Sequence, residues 1–538
     1  MRERVRELYR RHKLFSWALA AGAVLRLLAV LGYPGALWFA GDSYVYLGAA
    51  LRPQPNLSKT TGYSFFLRLL LPFHSLTLVV VAQHLMGLAD AVMIYALLRR
   101  ANVSKKWATI ASLPMLLDGY VIENEHLIMT EALFTFLLMA SLTIVLWKPR
   151  LSAWKALVVG LLLGYAAIVR TDGVIVLVIF PLFVLIRGWA WKTVAGWVSA
   201  VVMCAGILIP VGAYANWFHS STGQYGMTMS TGFYLWGRTS SFADCAVIKP
   251  TGEQAKVCPE QAIVDRTPPG DYIWHAPYVH QDMNSICTIV KGSKECGPVS
   301  PAGNSLLTSF AIHAVEAQPL QYAKTVVLDT LLSFGFPRIA YPGAGTTYYY
   351  DFHVHYKTAT YNVLPPNEKD HEWIPGGTAY SDWMSYGHQA PGVLDPVFAY
   401  PILVYQRIVF TWGPLLALIF LIGLGGVFAI RRRGWSVKRA WDVRPLRVRW
   451  EVRGTSMLPW ITAVALLVFP IAIADFDYRY LIPALPFACA AAGLAFAPPK
   501  RKDAEMAPGT AGTAGTSDRD QPEVTPGETV TGAAKISE

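Results

Sequence analysis

Charge is what this 538-residue sequence has least of. Asp, Glu, Lys and Arg make up 15% of it, while 54% is hydrophobic; soluble domains carry about 25% charged residues. The apolar residues come in runs of about twenty, enough at 1.5 Å per residue to cross a ~30 Å hydrocarbon layer. A cytosolic enzyme, a secreted soluble protein and a disordered scaffold are thereby excluded. Cysteine is also scarce, with 6 residues and no CxxC spacing, so a zinc ribbon is not indicated. No Gly-rich phosphate-cradling loop is present either. The net charge of +11 would fit nucleic acid only if it left a basic patch unexplained, so its placement decides.

The placement follows the apolar runs. The first run, 15–38, comes after MRERVRELYRRHK, is too long for a signal-peptide core and has no small-residue cleavage site close behind it. It reads as an uncleaved first span. Further spans fall at 75–98, 107–122, 127–147, 154–169, 173–187, 193–213, 406–430, 457–474 and 480–497, ten in all. Lys and Arg concentrate in alternate turns: Arg99, Arg100, Lys105 and Lys106; Lys148, Arg150 and Lys155; Arg187 and Lys192; nine between Arg431 and Arg453; and Lys500, Arg501 and Lys502. The positive-inside rule then predicts a multi-pass plasma-membrane protein with both termini cytoplasmic, its basic charge facing anionic lipid. The segment 218–398 holds ten Lys and Arg against fifteen Asp and Glu, so nothing basic is left for nucleic acid.

That segment far exceeds ordinary loop lengths and predicts an external mixed α/β domain before the last three spans. Its middle, 304–334, has the periodicity of two amphipathic helices split near Pro319, and YYYDFHVHYKTATYNV (348–363) reads as strand. The chain divides into membrane helices over 1–217, the external domain over 218–399, three more spans over 400–498, and a cytoplasmic tail over 499–538 whose composition predicts disorder. Cys245, Cys258, Cys287 and Cys296 all lie in the external domain, where disulfides persist; pairs 245–258 and 287–296 are the simplest of three connectivities.

Ionisable residues crowd the turns of the external side. Asp42 follows the first span, and Lys59 lies in the same loop. Asp118, Glu123, Glu125 and Glu131 surround the next such turn, then come Arg170 and Asp172, and finally Asp475, Asp477 and Arg479. Charges at span edges are costly and often functional. A carboxylate beside a cleft can act as general base on a hydroxyl, and Lys or Arg can stabilise charge on a departing phosphate. A lipid phosphate would sit at this level with its tail between the spans. The plainer reading is that turns are polar because they meet water, with Arg170–Asp172 a local ion pair.

Several stretches carry a resemblance: Arg26 in the first span followed by GDSYVYL, then KTTGYSFFLRLLLPF, NEHLIMTEALFTFLL, GLLLGYAAIVRTDGV and the late DYRYLIPALPF. With them the sequence resembles the GT-C glycosyltransferases, bacterial lipid-carrier-dependent enzymes related to protein O-mannosyltransferases and the aminoarabinose transferases of lipid A. It covers about 1–215 and 400–498. GRTSSFADCAVIKP and AVEAQPLQYAKTVVLDTLLSF also look like the external domain of actinobacterial members.

The resemblance implies an all-α polytopic GT-C fold and an inverting transferase. The donor would be a polyprenyl-phosphate monosaccharide, and the acceptor a cell-envelope glycan, lipid or exported protein on the outer side. Asp42 takes the catalytic acid's position, with Ser43 where many members have a second acid. Lys59 fits the donor-phosphate position and Tyr63 its loop motif, with Ser64 in place of the usual proline. Glu131, Arg170 and Arg479 match positions near phosphate or acceptor. A phosphate is a good leaving group, so no cofactor and no metal is required.

Other signals are weaker. His353 and His355 form an HxH pair without an identifiable third ligand. Tyr348, Tyr349, Tyr350, Trp373 and Trp383 could stack on sugar rings or pack the domain. His84 and Asp90 read as polar contacts within a span, and the sequons at Asn56 and Asn102 as chance. The alternative function is a lipid-linked sugar flippase or transporter, though transporters bind near the bilayer midplane and these charges gather at the edge. An envelope scaffold would leave Asp42 and Lys59 unexplained.

Overall fold

The computed structural model describes residues 7, 9–274, 299–341, 343, 349–353, 369–387, 394–430, 450–452 and 454–498. Each predicted apolar stretch contains a helix, but polar caps and prolines trim or break several of them. The first helix, Lys13–Gly32, stops short of Trp38, because Pro34 disfavours helical backbone before it. The third stretch divides into Lys105–Leu117 and Gly119–Asn124, with Asp118 accepting from the backbone N–H groups of Tyr120 and Val121 as an N-cap. The fourth begins only at Glu131. The eighth is bent by 61° between Pro396–Ile408 and Gly413–Val427.

Among the described residues, four helices are long and apolar enough to cross a membrane, Lys13–Gly32, Leu76–Arg100, Val194–Thr222 and Thr455–Ile473, and the bent pair raises this to five. The remaining stretches form shorter apolar helices such as Glu131–Trp147 and Ala153–Val169. Fewer helices than the ten expected spans reach this length among the described residues. Exposed Leu, Val and Trp side chains on Lys13–Gly32 and Val194–Thr222 are the apolar surface such helices present to lipid.

The segment 218–399, expected as an external domain, is helical among its described residues, and the expected mixed α/β character is not found in them. The two amphipathic helices appear as Pro301–Ala317 and Pro319–Leu332, divided at Pro319 as the sequence predicts. Pro301–Ala317 packs with Thr231–Ser240 and Pro269–Trp274 around a small core of Phe233, Trp236, Ile273, Leu307, Phe310 and Ala314. Cys245 and Cys258 form a disulfide; Cys287 and Cys296 lie outside the described residues. Of the predicted strand, residues 349–353 form a turn and bend rather than a strand, and 354–363 lie outside. Two strands occur elsewhere, Phe428–Ile430 pairing antiparallel with Trp450–Val452. Met1–Pro498 forms one compact unit; the tail 499–538, expected to be disordered, is outside the described residues.

Candidate active site

The site begins with a helix that is not a span. Ala40–Leu51 carries Asp42 in its first turn, where unpaired backbone N–H groups favour a carboxylate. Ser43 is fully buried; its Oγ accepts from the Phe39 N–H and donates to the Ile128 carbonyl. Leu37 and Leu127 pair as a parallel bridge. These bonds tie the Asp42 loop to the turn that ends at Glu131.

Lys59 is placed by an Asx-type turn. Asn56 Oδ1 accepts from the backbone N–H groups of Ser58 and Lys59 and from the Ser58 hydroxyl. The apparent sequon is thus a turn signal. Three residues on, Gly62 opens the Gly62–Leu70 helix against the end of Ala153–Val169. A Cβ at Gly62 would lie 2.2 Å from the Ile168 carbonyl oxygen, so only glycine lets the Lys59 loop approach the Arg170 turn. The start of segment 218–399 closes over the same loop: Met229 N–H donates to Leu57 O and Ser230 Oγ donates to Ser58 O.

The charges then meet. Lys59 Nζ lies 2.7 Å from Asp42 Oδ1, and Arg479 Nη1 lies 3.2 Å from Asp42 Oδ2. All three side chains keep slight access to solvent, between 15% and 17%. Arg479 also pairs with Asp477 at 3.1 Å, and Asp477 Oδ1 accepts from the Tyr350 hydroxyl at 2.5 Å. Arg170 joins Asp172 at 2.6 Å and the fully buried Glu131. Tyr480 lies between the two arginines, its ring centre 5.4 Å from the Arg170 guanidinium carbon and 5.6 Å from that of Arg479. Burial opposes ionisation of Asp42, but Lys59 and Arg479 outweigh it and hold the carboxyl below the usual carboxylate range. Burial pushes Asp477 up, with Arg479 acting against it.

Asp42, Lys59, Glu131, Arg170 and Arg479 thus lie in one linked cluster. Tyr63 does not join their hydrogen-bond network: it is fully buried, and its hydroxyl donates to Gln83 Oε1 at 2.7 Å. Three predicted acids turn elsewhere. Asp118 caps its helix and accepts from the Thr411 N–H. Glu125 makes a two-bond pair with Arg26 inside the bundle. Asp475 accepts from Gly270 N–H and the Tyr341 hydroxyl, both in the external segment. Burial raises its pKa to about 7.

Two tyrosines escape the sequence reading. Tyr46 stands one turn after Asp42, and its hydroxyl feels Lys59, Asp42, Glu131 and Arg170; the i, i+4 spacing was the available signal. Tyr234, from the external segment, feels Asp42, Arg479, Asp172 and Arg170, and nothing local marked it. The aromatic candidates pack instead of standing free: Trp373 lies against Gly41, Trp383 against Trp38, and Tyr349 and Tyr350 against Phe39. Tyr348 and His355 are outside the described residues, and the His353 ring bonds the Asp351 carbonyl.

The fold and site thus define a polytopic helical protein with a charged cluster where four turns of the bundle meet, beside the helix Thr231–Ser240. The sequence matches no protein family and no curated protein. Among solved structures, the fold is similar to the oligosaccharyltransferase of Archaeoglobus fulgidus in its apo form, at 12% identity and TM-score 0.36, covering 89% of this chain and 50% of that one. It is similar to the same enzyme tethered to an acceptor peptide with an NVT sequon, at 11% identity and TM-score 0.37, covering 89% and 49%. A third is archaeal AglB in complex with an inhibitory peptide and a dolichol-phosphate, at 13% identity and TM-score 0.37, covering 89% and 50%. The chain spans about half the length of these structures.

Proposed function

We propose that this chain is an integral-membrane inverting glycosyltransferase. It moves a monosaccharide from a polyprenyl-phosphate carrier to a cell-envelope acceptor on the outer face of the membrane. The observation that carries the reading is the Lys59–Asp42–Arg479 bridge, one slightly exposed carboxylate between a cation of its own loop and one from a distant turn. The seven ionisable side chains balance only approximately, three cations against Asp42, Glu131, Asp172 and Asp477. A donor phosphate entering the pocket competes with Asp42 for Lys59 and Arg479. As it takes their hydrogen bonds, Asp42 loses the partners that depress its pKa and becomes a stronger base.

Asp42 then removes the proton from an acceptor hydroxyl. The oxygen bonds to the anomeric carbon from the face opposite the phosphate. The carbon–oxygen bond to the phosphate breaks, its electron pair leaves on polyprenyl phosphate, and configuration inverts. Lys59 and Arg479 hold the leaving phosphate, while Arg170, fastened to Glu131 and Asp172, shapes the field around them. The test uses membranes carrying the protein and a radiolabelled polyprenyl-phosphate sugar. Transfer that survives Asp42→Asn at the wild-type rate rules the mechanism out.

One observation favours the flippase or transporter reading. Inside the bundle His84 Nδ1 faces Glu125 Oε2 at 2.8 Å, His84 Nε2 faces His126 Nδ1 at 3.2 Å, and His126 Nε2 faces the Tyr33 carbonyl at 2.9 Å. That carbonyl can only accept, so His126 carries its proton on Nε2, His84 donates to Nδ1, and one more proton is shared between His84 and Glu125. Buried ionisable arrays inside spans can mark ion pathways. Proteoliposomes that translocate a labelled lipid-linked sugar with no acceptor-dependent transfer would select this reading.

A further inference from the structure

The helix Pro319–Leu332 carries an apolar face that the chain leaves uncovered. None of its 14 residues is buried. Leu320, Val327, Leu328 and Leu331 are 80%, 56%, 52% and 55% exposed, and their spacing gathers them on one side of the helix. A short helix draws its stability from burying such a face. The opposite side is fastened to the bundle and its neighbours. The Tyr322 hydroxyl donates to the Ala472 carbonyl at 2.9 Å, and Asp329 pairs with the fully buried Arg238 at 2.5 Å.

These anchors fix the depth of the helix. Ala472 is the last residue but one of the span Thr455–Ile473, so the Tyr322 end lies at a membrane surface. The other end dips further. Gly413 opens the second arm of the bent pair, and a Cβ on it would lie 2.2 Å from the Gly335 carbonyl oxygen. Phe334 packs edge-on against Phe420, ring centres 5.8 Å apart. Phe420 stands about 10 Å along that arm from its start. Phe336 packs on Trp412, ring centres 5.5 Å apart. Both are exposed, as are Leu415 and Leu418 of the same arm, so the uncovered face continues into the apolar surface of a span. Lys324 is exposed on that face, four residues from both Leu320 and Leu328. Its stem can lie along apolar surface while its ammonium reaches the phosphate level. That suits a helix at the headgroup boundary and not one deep in hydrocarbon.

We propose that Pro319–Leu332 is an interfacial helix and that lipid covers its free face. It lies in the plane of the bilayer surface, with Leu320, Val327, Leu328, Leu331 and Phe336 among the upper acyl chains and Lys324 at the phosphates. The inference rests on the spans alone and is independent of the glycosyltransferase reading. Through Asp329 and Arg238 the bilayer then seats the helix Thr231–Ser240, which holds Tyr234 beside the Asp42 cluster.

The test is site-specific photocrosslinking of the full-length protein in nanodiscs of phosphatidylcholine and phosphatidylglycerol. Benzoylphenylalanine is placed at Val327, Leu328 or Leu331 in separate variants. Val201, exposed on the span Val194–Thr222, is the lipid-facing control, and the exposed Glu253 is the water-facing one. Mass spectrometry then counts phospholipid adducts at each position. The three helix positions are expected to give adducts about as often as Val201 and about tenfold more often than Glu253. Thr325, on the fastened side, is expected to crosslink within the chain. Adducts at the three positions no more frequent than at Glu253 place the face in water and overturn the proposal. A crosslinked dimer in place of lipid adducts overturns it in favour of a second copy. Lipid adducts at Thr325 as frequent as at Leu328 overturn it by detaching the helix from the spans. The three positions are exposed and independent, so the result does not hang on one variant folding.

Discussion

Asp42 is useful only while its charge and its partners are in balance. Asp42→Asn keeps the shape but removes the base, and a general base is worth about 10²- to 10⁴-fold in rate. The expected outcome is a fall of that size in kcat, with donor binding retained when measured by labelled-lipid retention. Lys59 tunes the same group. The Asp42 carboxyl lies below the usual range because Lys59 and Arg479 overcome its burial, so activity that needs the carboxylate is lost only as pH falls through that depressed value. Removing the lysine in Lys59→Ala raises the Asp42 pKa, and the acid limb of kcat/KM moves to higher pH. A limb that stays in place, or moves lower, would separate Asp42 from the base role.

At the scale of elements, the pocket depends on short segments that bring long ones together. Gly62 is the tightest of them. A methyl group there meets the Ile168 backbone, which cannot rotate away, and overpacking of this kind costs about 1–3 kcal/mol. Gly62→Ala is expected to lower the thermal midpoint in detergent and to reduce transfer more than a stability loss explains, because it pushes Lys59 away from Asp42. A midpoint and rate equal to wild type would show that the approach is not needed. The external helices have their own constraint in the Cys245–Cys258 disulfide, which spans 13 residues. Loops near this size gain about 3 kcal/mol from such a link. Replacing both cysteines with serine should make residues 231–332 cleave sooner in limited proteolysis, with the membrane helices unaffected.

At the scale of the whole molecule, segment 218–399 is tied to the last turn of the bundle, and one of these contacts titrates. Asp475 accepts from Gly270 and Tyr341, and its folded pKa is raised to about 7, against about 3.9 in an unfolded chain. An acid shifted upward contributes stability that is fully present below the unfolded value and is lost as pH rises through the folded one. The thermal midpoint should therefore fall between about pH 4 and pH 7, and Asp475→Asn should flatten that slope. A slope unchanged in the variant would assign the pH dependence to other groups.

Apolar composition and period determined where the helices form, because burying or lipid-facing side chains along a helix requires no distant partner. The split at Pro319 and the Asx turn at Asn56 were equally local. Where the helices stop was only partly legible: Asp118 caps a helix, and the chain bends at Val409–Trp412, within stretches that read as continuous spans. Which charges matter was decided by tertiary structure alone. Asp42 and Arg479 are 437 residues apart in the chain, while Asp118, Glu125 and Asp475 carry the same chemistry in similar turns and are spent on a cap, on Arg26 and on the external segment. A carboxylate's role follows from the cation, backbone or hydroxyl that reaches it in space, and no spacing in the sequence encodes that meeting.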